Sequence, residues 1–282
     1  MVGPARSIIA SVALAAVLAA VLGCGRTART SKHATNAGPR IVSLSPAITH
    51  TLEALGAGGN VVGCTPWCGL AGVPTVGSLE DRNAEAILAL HPNLLVRQGD
   101  QPDAALDPPL TAAGAAIRGW RLNSVADVLR CVNGLGATLQ ALGAPAARPA
   151  ADRIAMAHWD AVSAQVQTRA PVVFLFGTDP AAAFGAGTYL DGLWTAMGGA
   201  NAVTAEGYPT LGAEDLLRMQ PAAVVVVTAA PVEAPLPPWL ASMRSVHVLV
   251  APELLEPSAR MLVDGPAALR RFDALASAGA SK

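Results

Sequence analysis

The chain has 282 residues, of which 52% are apolar and only 14% charged, with 19 basic against 20 acidic side chains. That composition excludes a disordered, acidic or coiled-coil chain. Without a basic surplus to neutralise a run of phosphates, a nucleic-acid partner is not expected.

The first predicted segment is an address. Arg6 precedes an apolar run from Ile8 to Leu22, broken only by Ser11. As a helix this run reaches roughly 22 Å, short of the ~30 Å hydrocarbon core of a bilayer. A basic start, short apolar middle and small-residue end describe a signal peptide over 1–23. The run closes on Val21-Leu22-Gly23-Cys24, which resembles the lipobox of bacterial lipoproteins. That resemblance implies cleavage before Cys24, acylation of its thiol and an exported protein held on a membrane. The polar, non-periodic stretch 24–38 follows as a tether.

The globular part then alternates. Ile41–Leu44 predicts a strand, and Ser45-Pro46 caps the helix after it, which stops at Gly56. Val61-Val62 predicts a strand, Glu85 to Leu90 a helix stopped by His91-Pro92, and Leu94-Leu95-Val96 a buried strand. The order returns in the second half: strand Val172–Phe176, helix Leu190–Met197 ending at Gly198-Gly199, helix Glu214–Met219, Pro221, and strand Val224–Val227. Two copies of a strand–helix–strand unit predict an α/β protein of two Rossmann-like lobes with parallel sheets. Between them, 146–169 carries helix formers with Ile154, Trp159, Val162 and Val166 on one side, and predicts a single long helix joining the lobes. The domains are thus an N-terminal lobe over 39–145, the inter-lobe helix, and a C-terminal lobe over 170–282. A one-helix hinge predicts little closure motion.

Cys64, Cys68 and Cys131 are an odd number for an oxidising compartment. A bridged pair with one thiol left over is expected, and a loop staple on Cys64 and Cys68 ranks above a metal site, because no second ligand pair follows at suitable spacing. His158 and His247 read as structural.

Ligands of open parallel sheets bind beyond the carboxyl ends of the strands. The loops there hold Trp67, Arg97, Gln98, Thr178, Asp179, Tyr208, Glu256 and Arg260. Aromatic and arginine side chains on such loops suit a large planar or multiply polar ligand. The segments "PRIVSLSPAITHTLEALGAGGNVVGCTPWC", "VPTVGSLEDRNAEAILALHPNLLV" and "GTYLDGLWTAMGGANAV … AEDLLRMQPAAVVVV" resemble the class III substrate-binding proteins of ABC importers, a family that includes cobalamin, haem and ferric-siderophore binders. The resemblance covers nearly all of 39–272. It implies a monomeric binding protein without catalytic residues or cofactor, serving an ABC permease and its ATPase. It implies ligand contacts from Pro46, Trp67, Arg97, Gln98, Thr178, Tyr208 and Arg260, and permease docking by Glu85 and Glu214. His50 stands where the family commonly has Glu, and Glu256 with Ser258-Ala259-Arg260 only approximates the family pattern.

The expected cargo is a metal chelate, with a corrinoid such as cobalamin first and a ferric siderophore next. Haem is the alternative, with Tyr208 or His50 as axial ligand, and a sensor or assembly lipoprotein without transport is the other rival. An enzyme is not expected. GxSxG, HExxH and P-loop motifs are absent, Lys32 and Lys282 are the only lysines, and Gly134-Leu-Gly136 lacks the third glycine of a dinucleotide fingerprint.

Overall fold

A computed structural model describes residues 38–77, 83–232 and 235–280; the predicted leader, Cys24 and most of the tether lie outside them. The described residues form one compact unit. In its first half, β1 (Ile41–Ser43), β2 (Val61–Cys64), β3 (Leu94–Gln98) and β4 (Ala116–Trp120) make a four-stranded sheet in the order β2-β1-β3-β4. Every pairing in it is parallel. The helices of this half are α1 (Pro46–Ala54), α2 (Ala84–Ala89), α3 (Asp107–Ala112) and α4 (Val125–Ala141). After α5 (Ala147–Ser163) comes a second sheet of β5 (Pro171–Leu175), β7 (Ala200–Asn201), β9 (Ala223–Thr228) and β10 (Val246–Val250), again wholly parallel. A small antiparallel ribbon of β6 (Ala181–Ala182) and β8 (Thr210–Leu211) sits beside it. Helices α6 (Tyr189–Ala196), α7 (Ala213–Met219), α8 (Pro238–Ala241) and α9 (Ala259–Ala280) complete the chain.

The internal repeat is visible in the topology. In each half the first strand pairs with the second and the third, and the fourth lies outside the third. Local chemistry repeats as well. Helices α1 and α6 both run into a glycine with positive φ, Gly56 and Gly198, the usual way to stop a helix. Helices α2 and α7 both stop against an X-Pro pair, and the two non-glycine residues with positive φ among the described residues are His91 and Gln220, immediately before Pro92 and Pro221. A proline cannot continue the ladder and disfavours the right-handed helical region for its predecessor, so the same device turns the chain into β3 and β9. At the helix starts, Ser45 Oγ accepts from the Ile48 amide at 3.4 Å and Asn83 Oδ1 from the Ala86 amide at 2.9 Å.

The joining helix differs from expectation. It ends at Ser163 rather than near 169, because the following residues are claimed by other partners. The Val166 amide donates to the Met197 carbonyl at 2.9 Å. The Gln167 and Thr168 amides donate to the two carboxylate oxygens of Asp273 on α9, both at 2.8 Å. As expected, α5 is the single long helix that joins the halves, and it is buttressed from outside. Helix α9 packs on α5, on α1 and α4 of the first half, and on α6 of the second. One buried cluster therefore runs through both halves, including Ile48, Leu135, Ile154, Phe174, Trp194 and Phe272. His158 on α5 is buried beside α9, and its Nδ1 meets the Leu262 carbonyl at 3.1 Å. Burial holds that imidazole below its ordinary pKa against the pull of the carbonyl. Within α4, a Cβ at Gly136 would stand 2.7 Å from that of Ala151, so a glycine there lets α4 and α5 approach closely.

The expected cysteine bridge is not present. Cys64, Cys68 and Cys131 are all free and buried. The Cys68 thiol is instead engaged by the Thr65 hydroxyl at 3.2 Å.

Candidate functional site

In both sheets the connections leave the first strand on one side and return on the other, which creates a crevice at the carboxyl ends of that strand and its third-strand neighbour. In the first half this lies between Ser45-Pro46, after β1, and Gln98 at the end of β3. In the second it lies between Phe176, after β5, and Thr228 at the end of β9.

Pro46 is the first residue of α1, where its fixed φ suits a helix start and no amide is lost. Trp67 crowns the short 3-10 turn Pro66–Cys68 after β2 and is 75% exposed. A large indole left in solvent on a tight turn is the kind of surface that a ligand covers. Gln98, the last residue of β3, is exposed, and Thr178, three residues after β5, is half-buried. Tyr208 belongs to an aromatic group. Its ring centroid lies 5.8 Å from that of Phe176 and 6.0 Å from that of Phe184, and Phe184 meets Tyr189 edge to face at 5.6 Å. Tyr208 and Phe176 remain 47% and 40% exposed. The buried Tyr189 donates its hydroxyl to the Leu254 carbonyl at 3.1 Å and fixes the base of the group. Burial raises the pKa of the Tyr208 phenol, which therefore stays neutral at physiological pH.

Phe176 was missed in the sequence because it reads as the last residue of a buried strand. Its place directly after β5 and before Gly177, at a carboxyl end where ligands of such sheets bind, was the available signal.

Two arginines expected to meet ligand are each paired with a carboxylate. Arg97 is 8% exposed. It makes a two-pronged ion pair with Asp107 and donates to the Gln101 carbonyl at 2.9 Å. It braces the loop after β3, where it lines a surface cavity with Gln98. Arg260, at the start of α9, donates to Glu53 of α1 at 2.8 Å and ties the two halves together. A guanidinium already matched to a carboxylate offers little to an anionic ligand.

The halves also meet at His50, on α1, whose Nδ1 lies 2.6 Å from a Glu256 carboxylate oxygen. Beside them the Ala259 amide donates to the Thr51 hydroxyl at 3.1 Å. His50 and Glu256 line a cavity of about 290 Å³ together with the charged Arg260, Glu253 and Asp264 and with Ala229. Thr228, the residue before Ala229, holds a buried hydroxyl with no hydrogen-bond partner among the described residues. Such an orphan costs on the order of 1–3 kcal/mol and marks a place where a polar ligand atom would be welcome.

Glu85 and Glu214 are exposed and occupy the same place in the repeat, two residues after the N-caps Asn83 and Gly212 of α2 and α7. These helices run back along β3 and β9, so their N-termini lie at the carboxyl end of each sheet. Both carboxylates thus stand at the ligand-loop end of the molecule.

A family model described as periplasmic binding protein matches residues 41–241. Solved structures share the fold. The periplasmic heme-binding protein BhuT, in complex with two hemes, superposes with a TM-score of 0.67 at 23% identity, covering 85% of this chain and 99% of that one. A periplasmic heme-binding protein from Pseudomonas aeruginosa gives 0.63 at 24% identity, covering 84% and 93%. The vitamin B12 binding protein BtuF of Vibrio cholerae gives 0.62 at 21%, covering 85% and 98%. No curated protein matches the sequence.

Proposed function

The chain belongs to the periplasmic binding protein family, solute-binding partners of ABC importers rather than enzymes, and from that premise we propose that its cargo is a metal chelate gripped between the two lobes. The observation that carries this reading is the pair of exposed aromatic walls at the carboxyl ends of the two sheets: Trp67 on one half, Phe176 and Tyr208 on the other. Flat apolar faces with scattered polar groups suit a large macrocycle. The commitment of Arg97 and Arg260 to carboxylates favours a corrinoid or haem over an anionic ferric siderophore. Structural relatives described as vitamin B12 and heme binders fit both leading candidates. A corrinoid remains our first assignment, because Trp67 and Tyr208 provide walls without requiring a phenolate.

In this reading Gln98, Thr178 and Pro46 contribute contacts at the crevice edges, and Glu85 and Glu214 meet a basic face of the permease. The lobes are 39–145 and 170–282, joined across 146–169. Residues 1–23 direct export, Cys24 carries the lipid, and 24–38 let the monomer stand off the membrane while it hands its cargo to the permease and ATPase.

The test is calorimetric and absorbance titration of the purified chain with cyanocobalamin, haemin and a panel of ferric siderophores. Saturable one-to-one binding of a tetrapyrrole, recovered chemically unchanged, is the expected result. Saturable binding by no chelate removes this reading.

A further inference from the structure

The geometry points to a second binding site, at the opposite end of the second sheet from the cargo loops: an anion site for a phosphate ester, built where β5, β9 and β10 begin. It does not depend on what the cargo is.

The site is a cavity of about 860 Å³. Its walls come from the residues that lead into these strands and from Ala276 and Ser277 near the end of α9. Arg169 stands two residues ahead of β5 and Arg244 two residues ahead of β10, and those strands flank β9 on either side. The starts of β5 and β10 are therefore two strand spacings apart, roughly 10 Å. Between them the chain enters β9 through Ala222 and Ala223, whose small side chains leave the gap open. The sheet thus carries two guanidinium groups to opposite sides of one opening.

Charge sets this cavity apart. Among the described residues, none that lines it carries a carboxylate. By contrast, the cavity beside His50 holds Glu253, Glu256 and Asp264, and the one around Arg121 and Arg130 pairs both arginines with aspartates. Asp273 feels the charge of Arg169, but its two oxygens already accept the Gln167 and Thr168 amides. Arg169 also donates through Nη1 to the Gly198 carbonyl, which steadies it and leaves its remaining N–H groups. The Arg244 side chain is exposed, and among the described residues no ion pair or hydrogen bond engages it. Neutral polar groups are held beside it. The Ser245 hydroxyl meets His247 Nε2 at 3.0 Å, and the His247 ring rests edge to face on Phe272, 5.5 Å between centroids.

The donor set selects the ligand. A guanidinium fork matches two oxygens of a phosphate or carboxylate. Forks arriving from opposite sides suit a tetrahedral anion, which turns oxygens in several directions, better than a planar carboxylate. The volume exceeds what a phosphate alone would fill and falls in the range of small-molecule pockets, so the phosphate carries an organic group. A soluble phosphate ester and a phospholipid headgroup share that chemistry.

The experiment uses the purified chain with glycerol 3-phosphate, followed by calorimetry, and with phosphatidylglycerol vesicles against phosphatidylcholine vesicles, followed by cosedimentation. The expected result is saturable binding of glycerol 3-phosphate, which assigns a soluble ester, or selective cosedimentation with phosphatidylglycerol, which assigns a headgroup. Arg244→Gln should weaken whichever is seen by about tenfold to a hundredfold, the worth of a charged hydrogen-bond pair. Arg153→Gln removes the same charge from an exposed position on α5 and should change nothing. Chelate affinity, titrated in parallel, should be the same in both variants and wild type. Binding of neither probe, binding untouched by Arg244→Gln, or equal weakening in Arg153→Gln overturns the site, and the chelate titration then still decides the cargo on its own.

Discussion

Asp273 offers the sharpest test of how the two halves are held. Its carboxylate, 7% exposed on α9, accepts the amides of Gln167 and Thr168 at 2.8 Å each, and so fixes the segment that leads from α5 into β5. Replacing it with alanine leaves two part-buried amides without their acceptor and removes two charge-assisted bonds. Each such bond is worth about 1.5–3 kcal/mol, and with some water admitted to the gap a loss of about 3 kcal/mol is expected. For a body of this size that corresponds to a fall in Tm of about 6–12 °C. Asp273→Asn, which keeps one acceptor, should lose less. The effect must also depend on pH. Burial pushes the Asp273 carboxyl up, but the Gln167 and Thr168 hydrogen bonds and the Arg169 charge more than offset it, leaving its pKa below the ordinary 3.8. A depressed carboxyl stabilises fully above 3.8, and that stability is lost as pH falls through the folded-state value. Thermal unfolding followed by circular dichroism at pH 7 and again below pH 3.5 measures both parts. A Tm within about 2 °C of wild type in Asp273→Ala at pH 7, or a gap that does not narrow in acid, would refute the reasoning.

Trp67→Ala should weaken chelate affinity at least tenfold with no change in Tm, since the indole is 75% exposed and supports little of the fold; fluorescence titration beside thermal melts checks it. Glu85→Arg and Glu214→Arg should leave that affinity unchanged but abolish stimulation of the transporter's ATPase in proteoliposomes, and the double variant should show no more residual stimulation than either single one. Cys64, pushed up to about 11 by burial and then by its neighbour Cys68, and Cys131, pushed up to about 12 by burial, should resist a thiol reagent at pH 8 until denaturant is added. Rapid stoichiometric labelling of either in the native protein would contradict that environment.

Much of the architecture was legible because it is written in local chemistry that repeats. Ser45-Pro46, the glycine stops at 56 and 198, and the pairs His91-Pro92 and Gln220-Pro221 each act within one turn of helix, where sequence and conformation are tightly linked. Two long helices were not anticipated. Helix α4 carries a capping box, in which the Ser124 amide donates to Asp127 at 2.9 Å and the Asp127 amide to Ser124 at 3.2 Å, so its start was readable. Gly134 and Gly136 obscured the rest, because the need for close approach to Ala151 is a tertiary fact. Gly265-Pro266 likewise reads as a break, yet α9 runs through it.

The site was legible in outline only. Strand ends pointed to the loops at the carboxyl ends of both sheets, and Trp67 and Tyr208 are exposed on them. The fate of Arg97 and Arg260 depended on Asp107 and Glu53, and that of His50 on a glutamate from the far end of the chain. No spacing rule encodes such long-range pairings. They arise only when α9 folds back over the first half.

The most direct measurement of the central claim is a crystal structure of the chain grown with the tightest-binding chelate. The account predicts a macrocycle between the Trp67 turn and the Phe176–Tyr208 wall, touched by side chains of both halves, with β1 and β5 no farther apart than in the free protein. A ligand seated on one half alone, or outside these walls, would contradict it.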